Sequence, residues 1–267
     1  NNTTDALLNI LSAGGNTLTV LGASNVAITT SDQDADHIIT LNAGNLTVQD
    51  NIVEVGSGTI NIVVSANKVL TLNHNGLESA AEIEGVDGSG AAGGTLAISD
   101  NVTQTGTIGA GTNKAIGVLS IASGKTLTSS STIVADTLDL NSTTTTGINR
   151  SAADTLSLQV NSTSALNGTI NTGARVSGTV GQLYTGVATL DGNTVLTTTN
   201  DDIRFANKVA SDSSKRNLTL TTGTQNVLFV NTVGADDNKE VGAIVITGGM
   251  IASNTIEAKS LTVSTTS

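Results

Sequence analysis

Apolar and polar residues alternate with a period of two along most of the chain. The pattern is clear in TLTVLG at 17–22, ITLNAGNLTVQ at 39–49, INIVV at 60–64, NLTLTT at 217–222 and SLTVST at 260–265. This period places successive side chains on opposite faces of an extended backbone, so each segment predicts a short β-strand. Clusters of Gly, Asn, Asp and Ser separate the segments and predict tight turns. No window carries a sustained helical stripe, and the chain is therefore predicted to be all-β.

A short internal repeat relates two neighbouring segments. LTTTNDDIRFANKV at 196–209 aligns with LTTGTQNVLFVNTV at 220–233 at an offset of 24. The chain contains only two Phe residues, and both fall in this register. The alignment predicts direct stacking of Phe205 on Phe229 and, as an amide ladder at a bend, of Asn207 on Asn231.

A longer repeat relates two segments that lie far apart. IGAGTNKAIGVLSIASG at 108–124 aligns without a gap with VGADDNKEVGAIVITGG at 233–249. Both pass from an apolar residue through a Gly-rich insert to an alternating strand. We interpret this repetition as architectural, because the same turn is needed at equivalent places of a repeating fold.

Short strands, tight turns and a period of about 20–25 residues are typical of a β-solenoid with three strands per coil. In such a fold each residue stacks on its equivalent in the next coil, at the strand spacing of about 4.8 Å. We predict a parallel β-helix, right-handed, with about a dozen coils at roughly 22 residues each. Residues 1–267 are expected to form one β-solenoid, with a weak seam near 142–181.

The composition supports this fold. Pro is absent, as expected where nearly every backbone N–H bonds to a neighbouring coil. Aromatic residues make up 1% of the chain, which suits a narrow interior filled by Val, Ile, Leu, Ala and Thr. Cys is also absent, so neither disulfides nor thiolate metal sites contribute. Stability must come from burial and backbone hydrogen bonds.

The charge balance argues against several classes of partner. The net charge is −11, which opposes phosphate backbones and anionic lipid, and no Lys/Arg cluster offsets it. We therefore expect no nucleic-acid binding. No apolar run approaches the length of a membrane helix, so no membrane insertion is expected. The chain begins in mid-pattern, and we interpret it as a processed part of a longer exported polypeptide.

One acidic segment has the spacing of a weak Ca²⁺ site. SDQDADH at 31–37 places three carboxylates, those of Asp32, Asp34 and Asp36, at alternate positions. Oxygen ligands on one side of a loop suit Ca²⁺, although the Gly and distal Glu of an EF-hand loop are missing. A solvated acidic turn is the competing interpretation. No other cofactor is indicated.

Catalysis on polysaccharides is the main alternative function for a β-helix. It requires converging carboxylates, or carboxylate-bound Ca²⁺ beside a basic residue. Arg175 and Arg204 are the candidate basic residues, but no aromatic platform for sugar rings lies near either. His37 and His74 have no partner motif. We therefore name no catalytic residue and expect no enzyme activity.

The segment GQLYTGVATLDGNTVLTTTNDDIRFANKV at 181–209, followed by NLTLTTGTQNVLFVNTV, resembles the strand-repeat exoproteins of bacteria. This group comprises autotransporter passengers, filamentous-haemagglutinin-like adhesins and related surface proteins. The resemblance implies a parallel β-helix and a role in adhesion, surface coating or filament formation. It transfers no functional residue to this chain.

These observations predict a structural and adhesive protein of the cell surface, the extracellular space or a biofilm matrix. We expect it to form a long filament, or to belong to one, by coil stacking. The expected partners are other copies of itself, end to end or laterally, and host-cell or matrix glycans. The alternative is a polysaccharide-binding or polysaccharide-cleaving β-helix protein.

Overall fold

The computed structural model describes most of the chain. The described residues are 6–10, 16–19, 24–30, 37–41, 45–53, 59–85, 93–111, 113–140, 147–150, 158–172, 180–235 and 239–265. Within these ranges the chain is all-β and contains no helix. The predicted parallel β-solenoid is therefore confirmed.

The chain divides into two compact units. The first comprises Asn1–Ser120 and Lys125–Ala135, and the second comprises Ile121–Gly124 and Asp136–Ser267. The strands of the first half of the chain are β1 (Ala6–Ile10), β2 (Asn16–Thr19), β3 (Ser24–Thr30), β4 (His37–Leu41), β5 (Leu46–Val53), β6 (Ile60–Val64), β7 (Val69–Leu72), β8 (Leu77–Ser79), β9 (Glu82–Gly85), β10 (Thr95–Ile98), β11 (Val102–Gln104), β12 (Ile116–Ile121) and β13 (Thr126–Ser129). Those that follow are β14 (Ile133–Leu140), β15 (Gly147–Arg150), β16 (Leu158–Thr172), β17 (Val180–Tyr184), β18 (Val187–Thr198), β19 (Asp202–Phe205), β20 (Val209–Ser211), β21 (Leu218–Phe229), β22 (Val241–Ala252) and β23 (Ala258–Ser264).

The first unit is a three-sided coil in which every side is a parallel ladder. One ladder runs through β3, β5, β7 and β10, and pairs Leu46 with Leu70 and Leu70 with Leu96. A second runs through β8, β11 and β13. The third runs through β2, β4, β6 and β9 and continues as single bridges. The chain visits the three ladders in turn, so each coil adds one short strand to each side.

The third ladder carries a column of isoleucines through the interior. Its members are Ile39, Ile62, Ile83, Ile108 and Ile133, each paired with the next and each 0% exposed. Like residues stack because equivalent positions in successive coils face the same interior. A β-branched side chain also fits the pleated surface of a strand.

The second unit has the same three-sided construction. One side passes through β16, β18, β21, β22 and β23 and stacks Ile170, Leu196, Leu220 and Ile246. The second passes through β16, β17, β19, β21 and β22. The third passes through β16, β18 and β20 and ends in single bridges at Val233 and Ile256.

The long repeat encodes one turn that is used twice. Ile108 and Val233 are both single-bridge residues, and each is followed by a glycine with positive φ, +64° at Gly109 and +71° at Gly234. The N–H of Gly109 donates to Ile83 O at 2.7 Å, and that of Gly234 to Val209 O at 2.8 Å. A Cβ at either glycine would lie 2.1 Å from a carbonyl oxygen of the next coil. Both the conformation and the close approach therefore require glycine.

The number of coils was overestimated: the structure has fewer turns than the predicted dozen. Most paired residues are separated by more than the 22 positions assumed, for example 24 between Leu46 and Leu70 and 26 between Leu70 and Leu96. Each coil thus takes up more chain, and the count covers only the described residues. The right-handed coil, the single solenoid and the seam at 142–181 stay predictions.

The stacked columns predict that substitutions at neighbouring positions of one strand have very different effects on the free energy of unfolding. Leu220 is 0% exposed, whereas Thr221 on the same strand points outward. We expect Leu220→Ala to destabilise by about 2–5 kcal/mol through the cavity it leaves. Thr221→Ala should stay within about 0.5 kcal/mol. Urea unfolding midpoints measure both, and equal effects would contradict the assignment of inward and outward faces.

Candidate functional site

An aromatic column occupies the interior of the second unit. Phe205 lies on Phe229 with ring centroids 5.3 Å apart and planes inclined by 10°, as the offset of 24 predicts. Tyr184 stacks on Phe205 at 5.0 Å and 13°. All three side chains are buried. The offset of 24 does not reveal Tyr184, because this coil is shorter and Tyr184 pairs with Phe205 at an offset of 21.

The column ends in a satisfied polar pair. The Tyr184 hydroxyl donates to Gln182 Oε1 at 3.0 Å, and Gln182 Nε2 donates to Thr197 O at 3.0 Å. Burial raises the pKa of Tyr184 far above its ordinary value. The phenol is therefore a fixed hydrogen-bond donor in the core and does not titrate in any ordinary pH range.

Asn207 and Asn231 occupy equivalent turn positions, between the Phe205–Phe229 and Val209–Val233 pairs. They form no amide ladder with each other in the described structure. The Oδ1 of Asn207 accepts from Lys208 N and that of Asn231 from Thr232 N, both at 2.8 Å. Each amide thus caps its own turn, the local bond that Asn makes most readily. The ladder prediction was wrong for this pair.

Other asparagines do join successive coils. Asn193 Oδ1 accepts from Asn217 N, and Asn217 Oδ1 accepts from Ala243 N, both at 2.9 Å. Similar bonds run from coil to coil at Asn45, Asn51, Asn101 and Asn200. In the first unit Asn101 Nδ2 also donates to Asn75 Oδ1 at 2.9 Å, which is an amide ladder. We call these residues the asparagine clamps.

The last described coil exposes its core. In β23, Leu261 and Val263 pair with Ile244 and Ile246, which are both 0% exposed. Leu261 and Val263 occupy the same inward columns but are 43% and 40% exposed. We call this surface the open end. It combines apolar side chains with a strand edge that is paired on one side only in the described residues.

One outer side of the second unit carries two adjacent rows of uncharged side chains. Two rows of outward side chains cross the ladder through β16, β18, β21, β22 and β23; their members are Thr169, Val195, Thr219, Val245 and Thr262 in one row, and Asn171, Thr197, Thr221, Thr247 and Ser264 in the other. Val195 and Val245 are 37% and 39% exposed. We call this surface the threonine face. These ten uncharged positions lie next to one another on a chain of net charge −11.

A charged cluster lies on another part of the second unit. Arg216 Nε donates to both carboxylate oxygens of Asp212 at 3.0 Å, and its Nη2 donates to Oδ2 at 2.6 Å. These bonds lower the pKa of Asp212. Burial, and then the charges of Asp212 and Asp139, raise the pKa of Asp191. Asp191 is thus a carboxylate held close to like charges.

A separate polar cluster lies in the first unit. Glu84 Oε1 accepts from Asn61 Nδ2 and, at 2.8 Å, from Lys114 Nζ. The Glu84 side chain is 9% exposed and that of Lys114 is 44% exposed. Asn61 Oδ1 is buried and has no hydrogen-bond partner in the described structure. Three coils contribute one side chain each.

The remaining candidate residues either lie outside the described residues or are exposed. Asp32, Asp34 and Asp36 lie outside the described residues, as does Arg175. In the part of the chain that the structure describes, no three His, Asp or Glu side chains are placed to hold a metal ion. Arg204 and His74 are exposed. No helix able to cross a bilayer occurs in the same ranges.

Comparison with protein-family models, curated proteins and solved structures finds no match to this chain. The class of the protein is therefore defined by its own geometry, as a parallel β-solenoid. This fold is compatible with the β-helix exoproteins that the sequence resembles.

The asparagine clamps should stabilise the contact between coils. We expect Asn217→Ala to cost about 0.5–1.5 kcal/mol, because it removes the side-chain acceptor of the Ala243 N–H at an exposed position. Asn231→Ala is the matched control, since that amide caps only its own turn. Hydrogen exchange measures the effect: the Ala243 amide should exchange faster in the first variant and stay protected in the second. Unchanged protection in both would contradict a clamp.

The charged cluster predicts that two matched substitutions, at Asp191 and at Asp212, shift the unfolding midpoint in opposite directions. Asp191 has a raised pKa, so its ionised form destabilises the fold above that pKa, and the penalty disappears as pH falls through it. Asp191→Asn should therefore raise the unfolding midpoint at neutral pH. Asp212 has a lowered pKa, so its contribution is present above the unfolded value of about 3.9 and is lost as pH falls below it. Asp212→Asn should lower the midpoint at neutral pH.

Urea denaturation at neutral pH and well below the ordinary Asp pKa tests this pair. The difference in unfolding midpoint between each variant and the wild type should become smaller in acid, where all the carboxylates are protonated. Differences that persist unchanged in acid would show that the two side chains act through packing and not through charge.

Proposed function

We propose that this chain is a structural and adhesive protein of the bacterial cell surface or an extracellular matrix, built to extend by coil stacking. The observation that carries the proposal is the open end. Its apolar columns and strand edge require a cover, and a further coil is the structure whose spacing and alternation match them. A coil of the same kind supplies this cover, either from the same polypeptide or from another copy.

The threonine face supports a second mode of association. Adjacent strands repeat at about 4.8 Å, so the face presents rows of small side chains at a regular spacing. A second copy of this face has the same spacing and no charge to oppose contact. Stacked β-sheets of this kind approach to about 10 Å with interdigitating side chains. Lateral bundling of filaments therefore belongs to the same proposal, with glycans as the alternative occupant of the face.

Charged side chains at the open end should block growth. We expect the purified wild-type chain to form fibres, and the double variant Leu261→Lys, Val263→Lys to stay short, because lysines at inward positions cannot be buried against a further coil. Negative-stain microscopy and sedimentation over a range of concentrations measure this. Ser213→Lys, in an exposed turn, is the control with one added charge.

The results separate the parts of the proposal. Lysines at Val195 and Val245 should leave fibres intact but prevent their bundling, because these residues lie on the outer face. A wild-type chain that stays discrete at every concentration would overturn filament formation. Release of reducing ends or unsaturated products from a panel of anionic and neutral glycans would overturn the non-enzymatic part of the proposal in favour of a polysaccharide-cleaving β-helix.

A further inference from the structure

The cluster around Glu84 combines a nucleophile, an electrophile and a proton carrier. Asn61 Nδ2 and Lys114 Nζ donate to the same carboxylate oxygen, Glu84 Oε1. Two nitrogen atoms that bond to one oxygen are at most about 6 Å apart, which is twice a hydrogen-bond length. The carbon of the Asn61 amide is one bond from Nδ2. Rotation within the four-carbon side chain of Lys114 can therefore bring Nζ to attack distance.

The backbone around this cluster holds Lys114 in place. Gly85, which follows Glu84, donates its N–H to Lys114 O at 2.8 Å. The approach is so close that a Cβ on Gly85 would lie 2.0 Å from Ala115 O. On the other side, β6 and β9 pair with Asn61 opposite Glu82, so Glu84 lies diagonal to Asn61 on the outer face. The three side chains are thus positioned by turns and ladders rather than by a chance contact.

Burial of the carboxylate and of the amide oxygen distinguishes this cluster from a surface ion pair, while the Lys114 side chain is 44% exposed. Glu84 is 7% exposed, and Asn61 Oδ1 is shielded from water and has no partner in the described structure. A buried carboxylate that receives an ammonium and an amide is positioned for acid–base work on both. Fixed geometry also replaces a bimolecular encounter by an intramolecular one.

We propose that Lys114 and Asn61 are joined by an isopeptide bond, with Glu84 as the proton carrier. Glu84 takes a proton from the Lys114 ammonium, and the Nζ lone pair attacks Cγ of Asn61. Glu84 passes this proton to Nδ2, and the Cγ–Nδ2 bond breaks to release ammonia. Glu84 then takes a second proton from Nζ, which leaves a neutral amide, and gives it to the ammonia, which departs as ammonium. One C–N bond forms and one breaks, the net charge is unchanged, and no oxidant is needed. The product links the first and third of three successive coils.

Among the described residues the other ion pairs lack this combination. Asp100 Oδ1 accepts from Lys125 Nζ and from a backbone N–H, that of Asn101. Glu240 accepts from Lys215, and Asp212 from Arg216. None of these carboxylates binds a side-chain amide together with a lysine. The reaction is therefore assigned to one site, independently of whether the chain forms filaments.

Intact mass spectrometry of the denatured chain tests the assignment. The wild type should weigh less than its sequence by one ammonia, and a protease digest should yield a branched peptide that joins Lys114 to Asn61. Three variants, Glu84→Gln, Asn61→Ala and Lys114→Arg, should keep the full sequence mass. Lys114→Arg keeps the cation beside Glu84, so its circular dichroism should match that of the wild type, and its melting temperature should be lower because it lacks the link.

Two comparisons make the result unambiguous. Lys125→Ala removes an ion pair without a side-chain amide and should keep the ammonia loss. A succinimide at Asn75–Gly76 would have the same mass, but it hydrolyses in mild base and does not depend on Lys114. A folded wild-type chain at its full sequence mass after prolonged incubation would overturn the proposal, as would an ammonia loss that persists in Lys114→Arg.

Discussion

Hydrogen bonding between the backbones of successive coils is the constraint on which the other features of each unit depend. A parallel ladder on each of three sides fixes the rise from coil to coil and aligns equivalent residues directly. Once that alignment is set, Ile39 must meet Ile62, and Phe205 must meet Phe229. The absence of Pro follows from the same need for backbone donors. The side chains then determine how the interior is packed, but the backbone ladders determine the spacing and alignment of the coils.

Much of this architecture can be predicted from the sequence, because residues that stack in successive coils recur at regular intervals along the chain. The offset of 24 identified Phe205 and Phe229, and the repeated glycine turn identified Gly109 and Gly234 as equivalents. Tyr184 escaped because its coil has 21 residues, and a period that varies from coil to coil blurs any fixed offset. The number of coils was overestimated because most coils are longer than the 22 residues assumed.

The polar contacts were harder to foresee for a different reason. An asparagine in a turn can cap its own backbone or reach the next coil, and the two outcomes differ by small shifts in the turn. Asn231 makes the first bond and Asn217 the second. Similarly, Asn61, Glu84 and Lys114 share no motif in the sequence. They meet only because two coil lengths, 21 and 25 residues, bring them to one side.

A β-solenoid gains stability coil by coil, so its weakest elements are those with a neighbour on one side only. The exposed columns at Leu261 and Val263 show the consequence, since side chains suited to a core are left at the surface. Asparagine clamps such as Asn217 stabilise the contact between two coils. Each clamp joins adjacent coils only, so the stability of a coil still depends on its immediate neighbours. A covalent bond from Lys114 to Asn61 would differ in kind. It would join coils that are not adjacent and close the chain from residue 61 to residue 114 into a loop, so that the first and third coils could not separate from each other without breaking a covalent bond.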